Sequence, residues 1–211
     1  MKNIVILISG GGSNMRALVE YAQTQPNAHV AAVVSNNPDA AGLAFAQAQG
    51  IATAVVRHQD YASRADFDVA LMAQIDQYAP DVVFLAGFMR ILTADFTKHY
   101  ARRMFNIHPS ILPSFKGLHT HQAALEVGVK VHGATVHGVT AELDHGPIVL
   151  QSAVPVLADD TADTLAARVL KTEHRIYPQV LDWWLHDRLV WNDDGIRVLP
   201  DAAQVYFESS Q

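Results

Sequence analysis

The sequence predicts an α/β fold, a mostly parallel sheet with helices on both faces and an antiparallel addition in the C-terminal half. Three features predict it. Short runs rich in Val and Ile alternate with longer segments whose apolar residues recur at helical spacing. The strand runs are apolar almost throughout instead of alternating, the pattern of strands covered on both faces. After residue 128 the texture changes to two strand-like runs joined by a short acidic connection, which suits antiparallel neighbours.

In chain order, NIVILIS (3–9) reads as the first strand and MRALVEYAQ (15–23) as the first helix. HVAAVVS (29–35) is the next strand, followed by a helix at 40–49 that Gly50 closes and a strand at 51–56. RADFDVALMAQIDQY (64–78) has helical spacing and meets its stop at Pro80. DVVFLAG (81–87) and MFNIH (104–108) complete the parallel set. VKVHGATVHGV (129–139) and PIVLQSAVPV (147–156) are the later strands, joined by TAELDHG. A long helix from about Thr161 to about His186 is expected to bury Leu165, Val169, Ile176, Val180 and Trp184. RLVWNDDGIRVLP then forms a small hairpin turning at Asp194-Gly195.

With 211 residues, half of them hydrophobic, the chain can fill one sizeable core. No repeat, low-complexity segment or Pro/Gly/Ser-rich linker divides it. The first apolar run is too short for a signal segment or a membrane span. Cysteine is absent, so disulfides and thiolate zinc sites are excluded, and a reducing cytoplasm is the expected compartment. A formal charge of −6 with scattered Lys and Arg argues against a nucleic-acid partner, which needs a concentrated cationic face. Small-molecule chemistry is expected instead.

SGGGSN (9–14) falls where the first strand gives way to the first helix. Glycines there let backbone amides turn outward, and the helix start adds unpaired N–H groups and partial positive charge, so the loop suits an anion. Met15 breaks dinucleotide spacing, and the second strand ends in Ser35-Asn36 instead of a ribose-binding acid. Without Gly-Lys-Ser/Thr it is no P-loop either. A monophosphate fits best, although three glycines also serve a tight turn with no ligand.

NIHPSILP (106–113) ends a buried strand at the carboxyl edge of the sheet, where α/β enzymes place their chemistry. Alternation puts Asn106 and His108 on one face, where an amide and an imidazole can address a single oxygen. Pro109 stiffens the backbone that carries His108. Asp144, in the acidic loop ELDHGP (142–147), is the candidate partner for that histidine, though a turn Asp is common for its own sake. Metal binding through His132, His137, His145 and Asp144 is disfavoured, because odd spacing puts His132 and His137 on opposite strand faces. Ser110 lacks any nucleophile motif.

The combination of ILISGGGSNM, DVVFLAGFMRIL, NIHPSILPSFKGLHTHQAAL, HGATVHGVTAELDHGPI and TEHRIYP resembles the glycinamide ribonucleotide formyltransferases, over residues 3 to about 190. The resemblance implies a Rossmann-like formyltransferase fold over 1–211, with a phosphate-binding half (1–100) and a catalytic half with the C-terminal helix (101–211). It implies 10-formyltetrahydrofolate as co-substrate, glycinamide ribonucleotide as acceptor, no metal, no membrane, and a monomer or homodimer. Asn106, His108 and Asp144 match the family's catalytic trio. Gly12, Ser13, Asn14 and Glu173 match ribonucleotide-binding positions. Arg64, Met89, Arg90, Ile91 and Leu92, with Asn106, match the folate site; Arg64 also reads as a surface residue of a first helical turn, and 89–92 as ordinary packing. His145 stands where the family has glycine, and Gly138 where relatives often have a larger residue. A formyltetrahydrofolate hydrolase and a non-catalytic nucleotide-binding domain are the alternatives.

Overall fold

A computed structural model of the chain describes residues 1–192 and 195–208. The fold has two compact units, residues 1–106 with 139–141, and residues 107–138 with 142–211.

The first unit holds strands β1 (Lys2–Ile8), β2 (Ala28–Ser35), β3 (Ala52–Val55), β4 (Val82–Leu85) and the start of β5 (Met104–His108), and helices α1 (Ser13–Gln23), α2 (Ala41–Ala48), α3 (Arg64–Asp76) and α4 (Ala94–His99). Its strands are parallel and ordered β3-β2-β1-β4-β5, so β1 is central. Alternate residues of β1 serve opposite faces. Val5 and Leu7 join a core with Phe67, Leu71 and Ile75 of α3 and Phe96 of α4. On the other side, Ile8 lies against Gly42 of α2, where an added Cβ would sit 2.6 Å from Ile8 Cδ1. Helices therefore cover both faces, as the apolar strand runs predict. One strand departs from that pattern. β3 pairs only with β2 and carries exposed Ala52 and Val55, because it is the edge of this unit's sheet.

The second unit contains α5 (Thr120–Val127), β6 (Val131–Gly138), β7 (Ile148–Pro155), α6 (Ala162–Leu185), the hairpin β8 (Leu189–Asn192) and β9 (Gly195–Val198), and β10 (Val205–Phe207). β6 and β7 pair antiparallel, and β10 adds parallel to β7. α6 starts with a capping box in which Thr161 and Thr164 satisfy each other's backbone amides. It runs through Pro178 and buries Leu165, Val169, Ile176 and Val180, but Trp183 takes the core position expected for Trp184, which is only half-buried. β8 and β9 form the predicted hairpin; its turn residue Asp194 lies outside the described residues. Two short helices, α4 and α5, and the three-residue β10 were not foreseen from the pattern.

Candidate functional site

Gly12 caps α1 in a left-handed conformation (φ 71°), which only glycine adopts without strain. A Cβ there would lie 2.8 Å from Met15 Cε and 3.1 Å from Gly42 Cα. Gly42 in turn donates its N–H to the Gly10 carbonyl at 3.1 Å, pressing the start of α2 onto the loop. Ser9, Gly10, Gly11, Gly12, Ser13 and Asn14 line an open cavity of about 430 Å³, with Arg16 beside them and Gly87 and Met89 closing the wall. The loop thus pairs a glycine cradle with a helix N-terminus and a nearby guanidinium, a setting for a phosphate.

The predicted folate residues lie along the next turn of the same unit. Met89 and Ile91 are exposed, Leu92 is buried, and Arg90 stacks 5.9 Å from the Phe67 ring centroid. Arg64 is the exposed first residue of α3, whose N-cap is Ser63. Asp68 went unnoticed in the sequence because it looks like one more helical acid. It is buried in α3, and its Oδ2 accepts the Thr93 N–H at 2.6 Å, pinning the end of segment 89–92.

β5 carries half-buried Asn106 and buried His108 two residues apart, on one face of the strand. In the second unit His108 Nδ1 lies 3.4 Å from Asp144 Oδ2, with both side chains buried. The pairing expected from the sequence is therefore made. Two backbone groups complete it. The Phe115 carbonyl accepts from His108 Nε2 at 2.9 Å, so that nitrogen carries a proton, and Nδ1 faces the carboxylate. The Gly117 N–H donates to Asp144 Oδ2 at 3.0 Å. Phe115 (φ 55°) and Asp144 (φ 49°) both adopt left-handed backbone, a conformation that costs energy and is concentrated at functional sites.

A buried network shapes the 109–117 loop. Thr135 Oγ1 donates to the Ser110 carbonyl at 2.7 Å and accepts from the Leu112 N–H at 3.0 Å, while Gln151 donates to the Leu112 carbonyl at 2.9 Å. The fully buried Ser110 hydroxyl donates to the Ser114 carbonyl at 2.6 Å, which occupies its proton in the fold.

His137, a metal-ligand candidate by sequence, has its Nε2 3.8 Å from Asp144 Oδ1. Burial pushes its pKa down, against the pull of the Gly138 carbonyl and Asp144. Its Nδ1 lies 3.0 Å from the Gly138 carbonyl and donates to it. His132 sits elsewhere, its ring 5.2 Å from that of His121 and 5.8 Å from that of Phe115. Among the described residues no group of three His, Cys, Asp or Glu side chains is clustered to hold a metal.

Burial, with His121 adding to it, lowers the His132 pKa from an ordinary 6.5 to about 4. The unfolded chain therefore takes up this proton at a higher pH than the folded one. Stability contributed by neutral His132 is complete above about 6.5 and is lost as pH falls toward about 4. Urea unfolding midpoints at pH 7 and pH 5 check this: the drop between them should shrink in His132→Phe.

Gly138 and His145, the two positions where the resemblance marks a departure, have different surroundings. Trp191 lies over Gly138, where a Cβ would come within 2.4 Å of the indole Cη2, so the indole fills the space of a larger residue. His145 is exposed and accepts from Lys116 Nζ at 3.0 Å. Glu173 is buried on α6 in the second unit.

Residues 2–181 match the family model described as formyl transferase. The chain is 50% identical over 207 residues to the phosphoribosylglycinamide formyltransferase of Escherichia coli K12, covering 95% of this chain and 97% of that one. Its fold matches the solved phosphoribosylglycinamide formyltransferase of Coxiella burnetii with a TM-score of 0.91 and 41% identity, over 98% of both chains. A glycinamide ribonucleotide transformylase from Symbiobacterium toebii superposes with the same TM-score and 43% identity, over 94% of each chain. Among the described residues no helix is long and apolar enough to cross a membrane.

Proposed function

The chain belongs to the formyl transferase family, and from that premise we propose that it transfers the formyl group of 10-formyltetrahydrofolate to the amine of glycinamide ribonucleotide, a step of purine biosynthesis. The observation that carries the reading is the buried His108–Asp144 pair at 3.4 Å, with His108 Nε2 tied to a carbonyl and Nδ1 turned toward the carboxylate.

Formyl transfer needs no covalent enzyme intermediate. The ribonucleotide amine attacks the formyl carbon, and the carbonyl oxygen takes the displaced electron pair. Asn106 donates to that oxygen from its amide, and His108 donates from Nδ1 when the ring carries both protons. One well-aimed donor of this kind is worth about 3–4 kcal/mol of barrier. The attacking amine must then lose a proton and N10 of the folate must gain one before the C–N10 bond breaks. Asp144, directly or through a water, takes the first, and the His108–Asp144 pair returns the second. The products are the N-formylated ribonucleotide and tetrahydrofolate, with no net proton change.

Gly12, Ser13 and Asn14 hold the phosphate through backbone amides, and Glu173 contacts the same substrate. Met89, Ile91 and Leu92 offer apolar surface to the folate ring, while the main chain of 89–92 offers hydrogen bonds and Arg64 and Arg90 offer charge. The reading includes a cytoplasmic location, small-molecule substrates without nucleic acid, and a monomeric or homodimeric state.

An assay that follows tetrahydrofolate release with and without glycinamide ribonucleotide tests this directly. Turnover should require the ribonucleotide. Formate release at the same rate in its absence would make the protein a hydrolase, and no turnover under either condition would leave only a binding domain.

A further inference from the structure

The end of β2 presents Ser35-Asn36 where a dinucleotide-binding fold would present a ribose-binding acid, and the structure gives Asn36 another task. Its buried Oδ1 accepts the Ser9 hydroxyl proton at 2.6 Å, and its Nδ2 lies 3.3 Å from His58 Nδ1. With its one proton committed, Ser9 Oγ uses a lone pair to accept the Met89 N–H at 2.8 Å. The Ser9 backbone N–H meanwhile donates to the Gly87 carbonyl at 3.1 Å. Ser9 therefore holds both ends of the turn Gly87 to Met89, while its own peptide leads into the glycine loop.

Phe88 anchors the middle of that turn in the core, but its flanks have no such anchor: Gly87 is in the left-handed region (φ 76°) and the Met89 side chain is 62% exposed, so backbone hydrogen bonds order the Met89 peptide. Ser9, Gly87 and Met89 line the same cavity as the phosphate loop. A ligand that immobilises the loop also immobilises the Ser9 hydroxyl and, with it, the amide that starts segment 89–92. Ordering already achieved by one ligand need not be repeated by the second, and this produces positive cooperativity without any large movement.

We propose that Ser9 is a positioning residue that couples the two substrates, conveying occupancy of the phosphate loop to the folate-binding segment through its hydroxyl. The proposal rests on the assignment of these two segments to the ribonucleotide and the folate. Replacing Ser9 by alanine removes the acceptor of the Met89 N–H and leaves the buried Asn36 oxygen without its donor. The side chains of segment 89–92 are themselves unchanged.

The test is a calorimetric cycle. Tetrahydrofolate, which has no formyl group to lose, is titrated into the protein with and without saturating glycinamide ribonucleotide. In the native sequence the ribonucleotide should tighten folate binding by about tenfold, within the usual span of coupling between sites. In Ser9→Ala that factor should fall to less than about twofold, whereas Ser9→Thr, which keeps the hydroxyl, should retain it. Asn36→Ala frees the hydroxyl from its acceptor and should lose the coupling as well, a second route if Ser9→Ala folds poorly. A merely structural Ser9 would weaken both ligands while leaving their ratio unchanged. No coupling in the native protein, or undiminished coupling in both Ser9→Ala and Asn36→Ala, overturns the proposal. Loss of formyl transfer by the native protein would instead overturn the functional reading beneath it.

Discussion

Asp144→Asn should lower kcat for formyl transfer by about 100- to 1,000-fold, the cost of losing one preorganised oxyanion donor, while leaving both substrate KM values within a few-fold. The substitution is nearly isosteric, and asparagine tolerates the left-handed backbone at this position (φ 49°) better than other side chains do. Its Oδ1 can still accept the Gly117 N–H that now reaches Asp144 Oδ2. What changes is the group 3.4 Å from His108 Nδ1. An amide NH2 there donates to the ring nitrogen and satisfies its lone pair. With Nε2 already committed to the Phe115 carbonyl, Nδ1 then accepts from the amide and has no proton to offer the tetrahedral oxygen. His108→Ala removes the same donor directly and should fall as far. The two losses should not add, because both remove one functioning unit. Steady-state kinetics of the two single variants and the double variant check this, and near-normal turnover in either single variant would overturn the assignment.

Gly12→Val should weaken ribonucleotide binding by at least about tenfold and change folate affinity, measured without ribonucleotide, far less. The residue caps α1 at φ 71°, a region that β-branched side chains avoid, and its Cβ would press on Met15 Cε at 2.8 Å and Gly42 Cα at 3.1 Å. Relief requires the loop to move away from α2, and moving it turns the amides of residues 12–14 away from the phosphate. The segment proposed for folate, 89–92, lies at the end of a different strand. Separate titrations with each ligand decide the matter, and equal losses would make the glycines a structural turn only.

The strands of the first unit were legible because β-branched, uninterrupted apolar runs leave few other options, and Asn106, His108 and Asp144 stood out by residue type. Other features have no side-chain signature. The clamp on His108 Nε2 is a backbone carbonyl, presented only because Phe115 turns left-handed, and nothing in the letters of SFKG specifies that. His137 was set aside for being on the opposite strand face from His132. That same alternation puts it with Thr135, on the face that meets the 110–117 loop and Asp144. α4 spans only Ala94–His99, too short to show a period, although Thr93 as N-cap and Asp95 in the first turn were available as a start signal. Trp183 and Trp184 are identical neighbours, so residue type could not say which of the two enters the core.

The close approach of Gly42 to Gly10 means that SGGGSN is not a portable cassette. Its curvature is imposed by a helix start some thirty positions downstream, where a single methyl group would collide with Ile8. Transplanting the hexapeptide alone to another strand–helix junction would carry over the glycines but not the mould that shapes them. A graft of this loop, made to test the phosphate site proposed for it, has to include β1, α1 and the opening turn of α2 together.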